Sequence, residues 1–194
     1  RTNELVFVDT RTPDYLALIR QMRDSGLGEG RQIEFVLIDG SKDGIRKITD
    51  TPAQKSGLDA IHIVSHARDG AVQLGSAQLD FDTLGKRAAS VKRWGDALTA
   101  NGDILFYGCD LAATQEGKAL VDALARLTGA DVAASEDVTG AASKGGDWEL
   151  EFKAGAIEAS VAVSKAAQER YTEALQAVAV GAAETRANTT TAGA

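Results

Sequence analysis

Ile61-His62-Ile63-Val64-Ser65-His66 and Asp103-Ile104-Leu105-Phe106-Tyr107-Gly108-Cys109-Asp110 are the two stretches on which the fold turns. Each is a short apolar run of the kind that a buried parallel strand shows. Each also stops at a reactive side chain. The first ends on one of only two histidines in the chain, and the second ends on the only cysteine.

Similar runs flank them. Leu5 to Val8 ends at Asp9, Ile33 to Ile38 ends at Asp39-Gly40, and Val132 to Ala134 leads into Ser135-Glu136-Asp137. Helical patterns fill the gaps. Thr12-Pro13 predicts a helix start, with Thr as N-cap and Pro at the first position. Leu16, Ile19 and Met22 follow at helical spacing until Gly26, Gly28 and Gly30 break the pattern. Asp43 is placed to cap a helix carrying Ile45 and Ile48, interrupted at Pro52. Leu84, Ala88, Val91, Trp94 and Leu98 predict a helix from Asp82 to Ala100, closed by Asn101-Gly102. Thr114 caps another, striped by Leu120, Val121, Leu124 and Leu127 and ended by Gly129.

Asp69-Gly70 signals a turn into a small extended excursion over Ala71 to Gly75. Trp148-Glu149-Leu150-Glu151-Phe152 alternates as an edge strand with one wet face does. Residues 164–180 predict a helix, and the Ala/Thr/Asn-rich end beyond Gly181 reads as linker.

Strands alternating with helices predict an α/β fold: a three-layer sandwich, its central sheet mostly parallel, with helices on both faces. The expected division is a domain over 1–160 and a helical or disordered tail or linker over 161–194. In such sheets, function collects at the carboxyl ends of the strands. The side chains expected there are Asp9, Asp39, His66, Cys109, Glu136 and Asp137.

Composition narrows the function classes. The 194 residues, 44% of them hydrophobic, suffice for one domain with a real core. A net charge of −7 leaves no electrostatic footprint for nucleic acid. No apolar run approaches the roughly 18 to 20 residues that cross a bilayer. The N-terminus lacks the charged-then-apolar pattern of a secretory signal, and its abrupt start reads as a piece cut from a longer chain. A single cysteine excludes an internal disulfide, and with two histidines it cannot complete an all-Cys/His zinc site.

If the His66 and Cys109 strands are neighbours, their ends lie about 4.8 Å apart. A histidine beside a cysteine can take its proton and make a nucleophile at neutral pH. Gly108 leaves room for a substrate backbone, and a main-chain N–H there could serve an oxyanion hole. The bland alternative makes Cys109 a small buried hydrophobe and His66 a loop residue. Placement of both at successive strand ends favours the pair. His62, four residues before His66 and inside the strand, reads as a satisfied core histidine. Trp94 and Trp148 read as packing residues.

Ile63-Val64-Ser65-His66 followed by Ile104 to Ala112 resembles the caspase-like, or caspase–hemoglobinase, peptidase fold. There a core strand ends in the catalytic His and the next in the catalytic Cys. Residues 4–153 resemble, more closely, a domain of unknown function found in giant bacterial surface adhesins. Its marks stand here as Asp59 to His66, Tyr107-Gly108-Cys109-Asp110-Leu111-Ala112, Thr128 to Ser135 and Gly145 to Glu151. The resemblance implies His66 as base, Cys109 as nucleophile and a polypeptide substrate, including the parent chain. It also implies a place in a secreted or cell-surface protein. Relatives usually put Gly directly after the histidine. Here Ala67-Arg68-Asp69 precedes Gly70, the glycine left to supply an oxyanion N–H.

Asp9, Glu136 and Asp137 are candidates for an acidic pocket that would favour Arg or Lys at the cleavage site, although solvated loop carboxylates explain them as well. Asp39, Ser41, Asp43 and Asp50 partly fit a calcium loop. Against that fit, a strand precedes the loop, Lys42 and Lys47 add positive charge, and a strand-to-helix turn capped by Asp43 explains the same residues. No other cofactor is implied. The Gly-x-Ser-x-Gly elbow of serine hydrolases is missing. Gly117-Lys118 lacks the glycine that a phosphate loop needs, and Gly26 to Gly30 follows a helix and reads as a loop.

Overall fold

The structure, a computed structural model, describes residues 1–24 and 30–176. Strands β1 (Thr2–Asp9), β2 (Arg31–Ile38) and β3 (Leu58–Val64) lead into a small antiparallel sheet of β4 (Ala67–Arg68), β5 (Ala71–Leu74) and β6 (Ala77–Leu79). Then come β7 (Leu98–Tyr107), β8 (Asp131–Ala134) and β9 (Phe152–Ala154). The central sheet has the order β2-β1-β3-β7-β8-β9 and is parallel except for β9, which runs antiparallel at the edge. The helices are α1 (Tyr15–Asp24), α2 (Gly44–Asp50), α3 (Phe81–Lys86), α4 (Ala88–Lys92), α5 (Gln115–Thr128) and α6 (Lys165–Arg170).

The period of two along each strand sorts side chains between two cores. Phe7, Ile61, Ile63, Ile104 and Phe106 pack with Ile45, Ile48, Trp94 and Leu120 from the helices of one face. Val6, Val8, Val64, Leu105 and Tyr107 pack with Leu18 and Met22 of α1 and Ala167 of α6 on the other. This is the expected three-layer α/β sandwich. No helix among the described residues is long and apolar enough to cross a membrane.

Several local expectations need correction. Thr12-Pro13 does not open α1, which starts at Tyr15 after Asp14 turns through a left-handed φ of 51°. Leu16 is exposed, while Leu18 takes the buried place. The helix expected from Asp82 to Ala100 breaks into α3, α4 and a 3-10 turn over Arg93–Ala97, and β7 starts at Leu98. Asn101-Gly102 marks an irregularity inside β7, where the pairing with β3 jumps between Leu58–Leu98 and Ala60–Asp103. In the 148–152 stretch Trp148 and Leu150 are buried and Glu149 and Glu151 exposed, yet only Phe152 joins the edge strand.

The boundary expected at residue 160 falls inside the packed unit. Ala162, Val163, Ala167, Tyr171 and Leu175 are buried in the second core. The helix expected over 164–180 is the short α6, capped by the Ser164 hydroxyl accepting from Ala167 N–H. The expected linker beyond Gly181 and the breaks at Gly26 and Gly28 lie outside the described residues.

His62 is the expected core histidine. Its Nε2 lies 2.8 Å from Glu4 Oε1 and its Nδ1 2.9 Å from Tyr107 Oη. A carboxylate can only accept, so Nε2 carries the proton, and Nδ1 accepts from the Tyr107 hydroxyl. That hydroxyl accepts in turn from Ala162 N–H at 3.0 Å. Arg31 closes the network with a bidentate grip on Glu4, both contacts at 2.7 Å.

Asp103, at the start of the paired part of β7, is fully buried. Burial, with Glu158 and Asp131 nearby, pushes its carboxyl up to about 6, although the N–H groups of Ala159 and Glu158 donate to it. A folded-state value above the unfolded one means that stability is lost as pH rises through about 6. Lowering pH from 7.5 to 4.5 should therefore shift the difference in unfolding free energy between wild type and Asp103→Asn towards wild type, by up to about 2 kcal/mol. Urea titrations of both proteins at the two pH values measure it; a constant difference would refute the assignment.

Candidate functional site

The parallel β3–β7 pairing runs to Val64 opposite Tyr107, and Ser65 N–H extends it with a bond to Tyr107 O at 3.1 Å. His66 and Cys109 each stand two residues past that last pair, so equal register brings them to the same edge. Gly108 is there for closeness. A Cβ on it would lie 2.5 Å from the Ala67 methyl and 3.0 Å from Ser65 O.

His66 has an orienting partner that sequence reading missed. Its Nε2 lies 3.0 Å from the carbonyl oxygen of Arg11, in the loop after β1. A carbonyl only accepts, so Nε2 carries the proton and Nδ1 holds the lone pair. That Nδ1 is buried and has no hydrogen-bond partner among the described residues. The ring is thus held with its accepting atom unengaged among the described residues.

Cys109 is fully buried. Its sulfur accepts from Thr139 N–H at 3.3 Å and its thiol proton is shared towards Thr139 O at 3.4 Å. Burial pushes the thiol up to about 11, with the Asp110 carboxylate adding to the rise and the Thr139 N–H opposing it. At neutral pH it is a thiol, and nucleophilic work requires a base. Asp110 follows in the left-handed region at φ 58°, and its N–H donates to Asp137 O at 2.7 Å. Backbone strain of this kind beside a reactive side chain is a mark of functional sites.

The edge is not open. Residues 173–176 lie across it in extended form. Leu175 O accepts from both Ala67 N–H and Cys109 N–H, each at 3.2 Å. Leu175 N–H donates to Thr139 O, and Ala141 N–H donates to Glu173 O, both at 2.9 Å. Gly140 and Ala174 form an antiparallel bridge, and Ala67 and Gln176 a parallel one.

The remaining candidates are engaged elsewhere. Gly70, at φ 74°, donates its N–H to Leu111 O at 3.0 Å, so Ala67 and not Gly70 faces the occupied carbonyl. Asp9 is buried and accepts from Arg11 N–H and Gly75 N–H, which ties the β1 loop to the small sheet. Glu136 pairs with Lys118 at 3.5 Å, and Asp137 accepts from the Ser135 hydroxyl at 3.2 Å. Each of the three carboxylates is engaged by partners of its own.

The calcium reading of the Asp39 loop also changes. Asp39 accepts from Ser41, Asp43 caps α2 and pairs with Arg87, and Asp50 pairs with Arg46. The acidic groups near enough to share an ion, among the described residues, are instead Asp103 with Asp131 and Glu158, and Asp137 with Asp147 and Glu151.

Residues 5–175 match the model of a family described as Domain of unknown function (DUF4347). The chain belongs to that family. No match to it is found among the curated proteins. The DUF4347 match ends at Leu175, the residue whose carbonyl sits between Ala67 and Cys109, so residues 173–175 of the occupying segment lie within the matched span. Arg11, Ala67, Thr139 and Leu175 contribute through main-chain atoms, which any residue type except proline supplies. Their side chains therefore carried no signal in the sequence.

Proposed function

We propose that this DUF4347 domain is a caspase-like cysteine endopeptidase acting by limited proteolysis on a large bacterial surface or secreted protein, its own parent chain included. The supporting observation is the His66 ring: held by the Arg11 carbonyl, it keeps an unpartnered Nδ1 at the sheet edge where Cys109 ends the neighbouring strand. His66 takes the thiol proton as Cys109 attacks a peptide carbonyl, and returns it to the leaving amine. Water then releases the acyl group. The N–H groups of Ala67 and Cys109 supply an oxyanion hole, and a main-chain donor needs no glycine after the histidine.

A second reading, a non-catalytic module serving assembly or partner binding, is favoured by the complete burial of Cys109. A peptide-based thiol-reactive probe and a peptide library separate the two. Wild type is expected to be labelled at Cys109 and to cut peptides. His66→Ala should lose roughly 10²- to 10⁴-fold in rate, the usual worth of a positioned base. Equal labelling of wild type and His66→Ala, with no peptide cut, would favour the module.

A further inference from the structure

We propose that residues Glu173-Ala174-Leu175-Gln176 are the domain's own substrate, bound in place, and that Leu175–Gln176 is the bond that it cuts. The proposal rests on the peptidase reading and names its substrate class: extended peptide with leucine, or a similar apolar side chain, on the acyl side of the cut.

The hydrogen bonds single out one carbonyl. Leu175 O receives two main-chain donors, and they come from the residue after the base and from the nucleophile itself. Two N–H groups converging on one oxygen make the device that stabilises a tetrahedral oxyanion. A strap with no chemistry to do could pair with any strand end; this one presents its carbonyl to these two donors.

The rest of the segment is held as a peptide added to a strand is held. Leu175 N–H to Thr139 O and Ala141 N–H to Glu173 O form an antiparallel ladder against residues 139–141. Such main-chain pairing gives affinity, and the side-chain pockets give specificity. The Leu175 side chain is fully buried in the same apolar cluster as Cys109, Trp148 and Tyr171. Gln176, the next residue, is exposed. The site therefore selects an apolar residue, not the Arg or Lys that an acidic pocket would favour. Tyr171 anchors the segment upstream, its hydroxyl donating to Pro13 O at 2.7 Å.

The step balances without a further reagent. Cys109 Sγ bonds to the Leu175 carbonyl carbon as its proton passes to His66 Nδ1, and the oxygen takes the electron pair between the two N–H groups. The C–N bond to Gln176 breaks, and the amine leaves with the proton from His66. Water, losing a proton to His66, then attacks the thioester carbon; the C–S bond breaks, the Cys109 sulfur takes the proton from His66, and Leu175 is left with a free carboxylate whose proton passes to solvent. After the cut, the stretch that ends at Leu175 is tied to the site by the same bonds and occludes it until it is displaced.

The full 194-residue chain is purified and followed by intact mass at a series of dilutions, beside Cys109→Ala, Leu175→Asp and Gln176→Pro. Wild type should yield fragments 1–175 and 176–194 at a rate independent of concentration, while Cys109→Ala stays whole. Leu175→Asp should slow the cut about 100-fold, the cost of a misplaced reacting group. Because Leu175 is buried, Gln176→Pro serves as the variant expected to keep the fold, its altered residue being exposed, and it should block the cut. A leucine-containing reporter peptide is assayed in parallel. Fragments at another bond, or a whole chain that still cuts the reporter, overturn the assigned bond and leave the peptidase reading standing. A whole chain that cuts nothing overturns both.

Discussion

Glu4→Ala should cost about 3 to 5 kcal/mol of stability, the usual result of removing one partner from a buried ion pair. The Glu4 side chain accepts from Arg31 twice, from His62 Nε2 at 2.8 Å and from the Thr2 hydroxyl at 2.8 Å. Removing it leaves the His62 N–H buried without that acceptor and takes away the carboxylate that Arg31 grips at two points. The effect travels along β7. His62 orders the Tyr107 hydroxyl, and Tyr107 is two residues from Cys109.

Burial raises the Glu4 carboxyl, but the bonds from Arg31 and His62 outweigh it and hold the group well below the ordinary carboxylate range. A lowered folded-state value gives stability that is present above the unfolded value and lost as pH falls. The difference between wild type and Glu4→Ala should therefore persist across neutral pH and shrink only in acid, below about 4.5. Urea midpoints at pH 7 and pH 3 measure it. A variant within about 1 kcal/mol of wild type at pH 7 would show that the network is not a stabilising unit.

Gly108→Ala should damage the site more than the fold. The added methyl would meet the Ala67 Cβ at 2.5 Å and Ser65 O at 3.0 Å, so the β3 and β7 ends must separate. Overpacking of this kind costs roughly 1 to 3 kcal/mol. Under the proposed peptidase activity the penalty in rate is larger, since Ala67 N–H and Cys109 N–H flank that contact and would have to converge on one oxygen. A displacement near 1 Å between reacting groups costs about 100-fold in rate. The expected result is a folded protein, slightly shifted in urea midpoint, that labels and cuts at least about 100-fold more slowly. Unchanged rates with the predicted loss of stability would remove Gly108 from the site.

The α/β sandwich and the pair of strand ends were legible because burial writes itself into sequence. A strand covered on both faces needs an unbroken apolar run, and Ile61 to Val64 and Ile104 to Tyr107 supply it. The same signal separated His62 from His66, since one lies within the run and the other beyond it. The long helix expected from Asp82 failed for a related reason. Apolar spacing at Leu84, Val91 and Trp94 is satisfied equally by short helical pieces that turn between contacts, and spacing does not report the turns.

Main-chain chemistry left no such trace. A carbonyl such as the one at Arg11 that sets the His66 tautomer belongs to every residue type, and an N–H such as Ala67's to every type but proline; only the path of the chain aims them. Strand-end position, from which the acidic pocket of Asp9, Glu136 and Asp137 was expected, does not reveal what a carboxylate accepts from, and Asp9 accepts from Arg11 and Gly75. By itself, then, the sequence determined the layers, the parallel core and the placing of His66 and Cys109 past the ends of neighbouring strands, all consequences of hydrophobic period and strand register. Only the tertiary structure decided that residues 162–176 belong to the packed unit and that Leu175 O lies between the two N–H groups. A carbonyl 66 positions after Cys109 meets it through folding alone, a juxtaposition set by long-range packing of Tyr171 and Leu175 and by no local pattern.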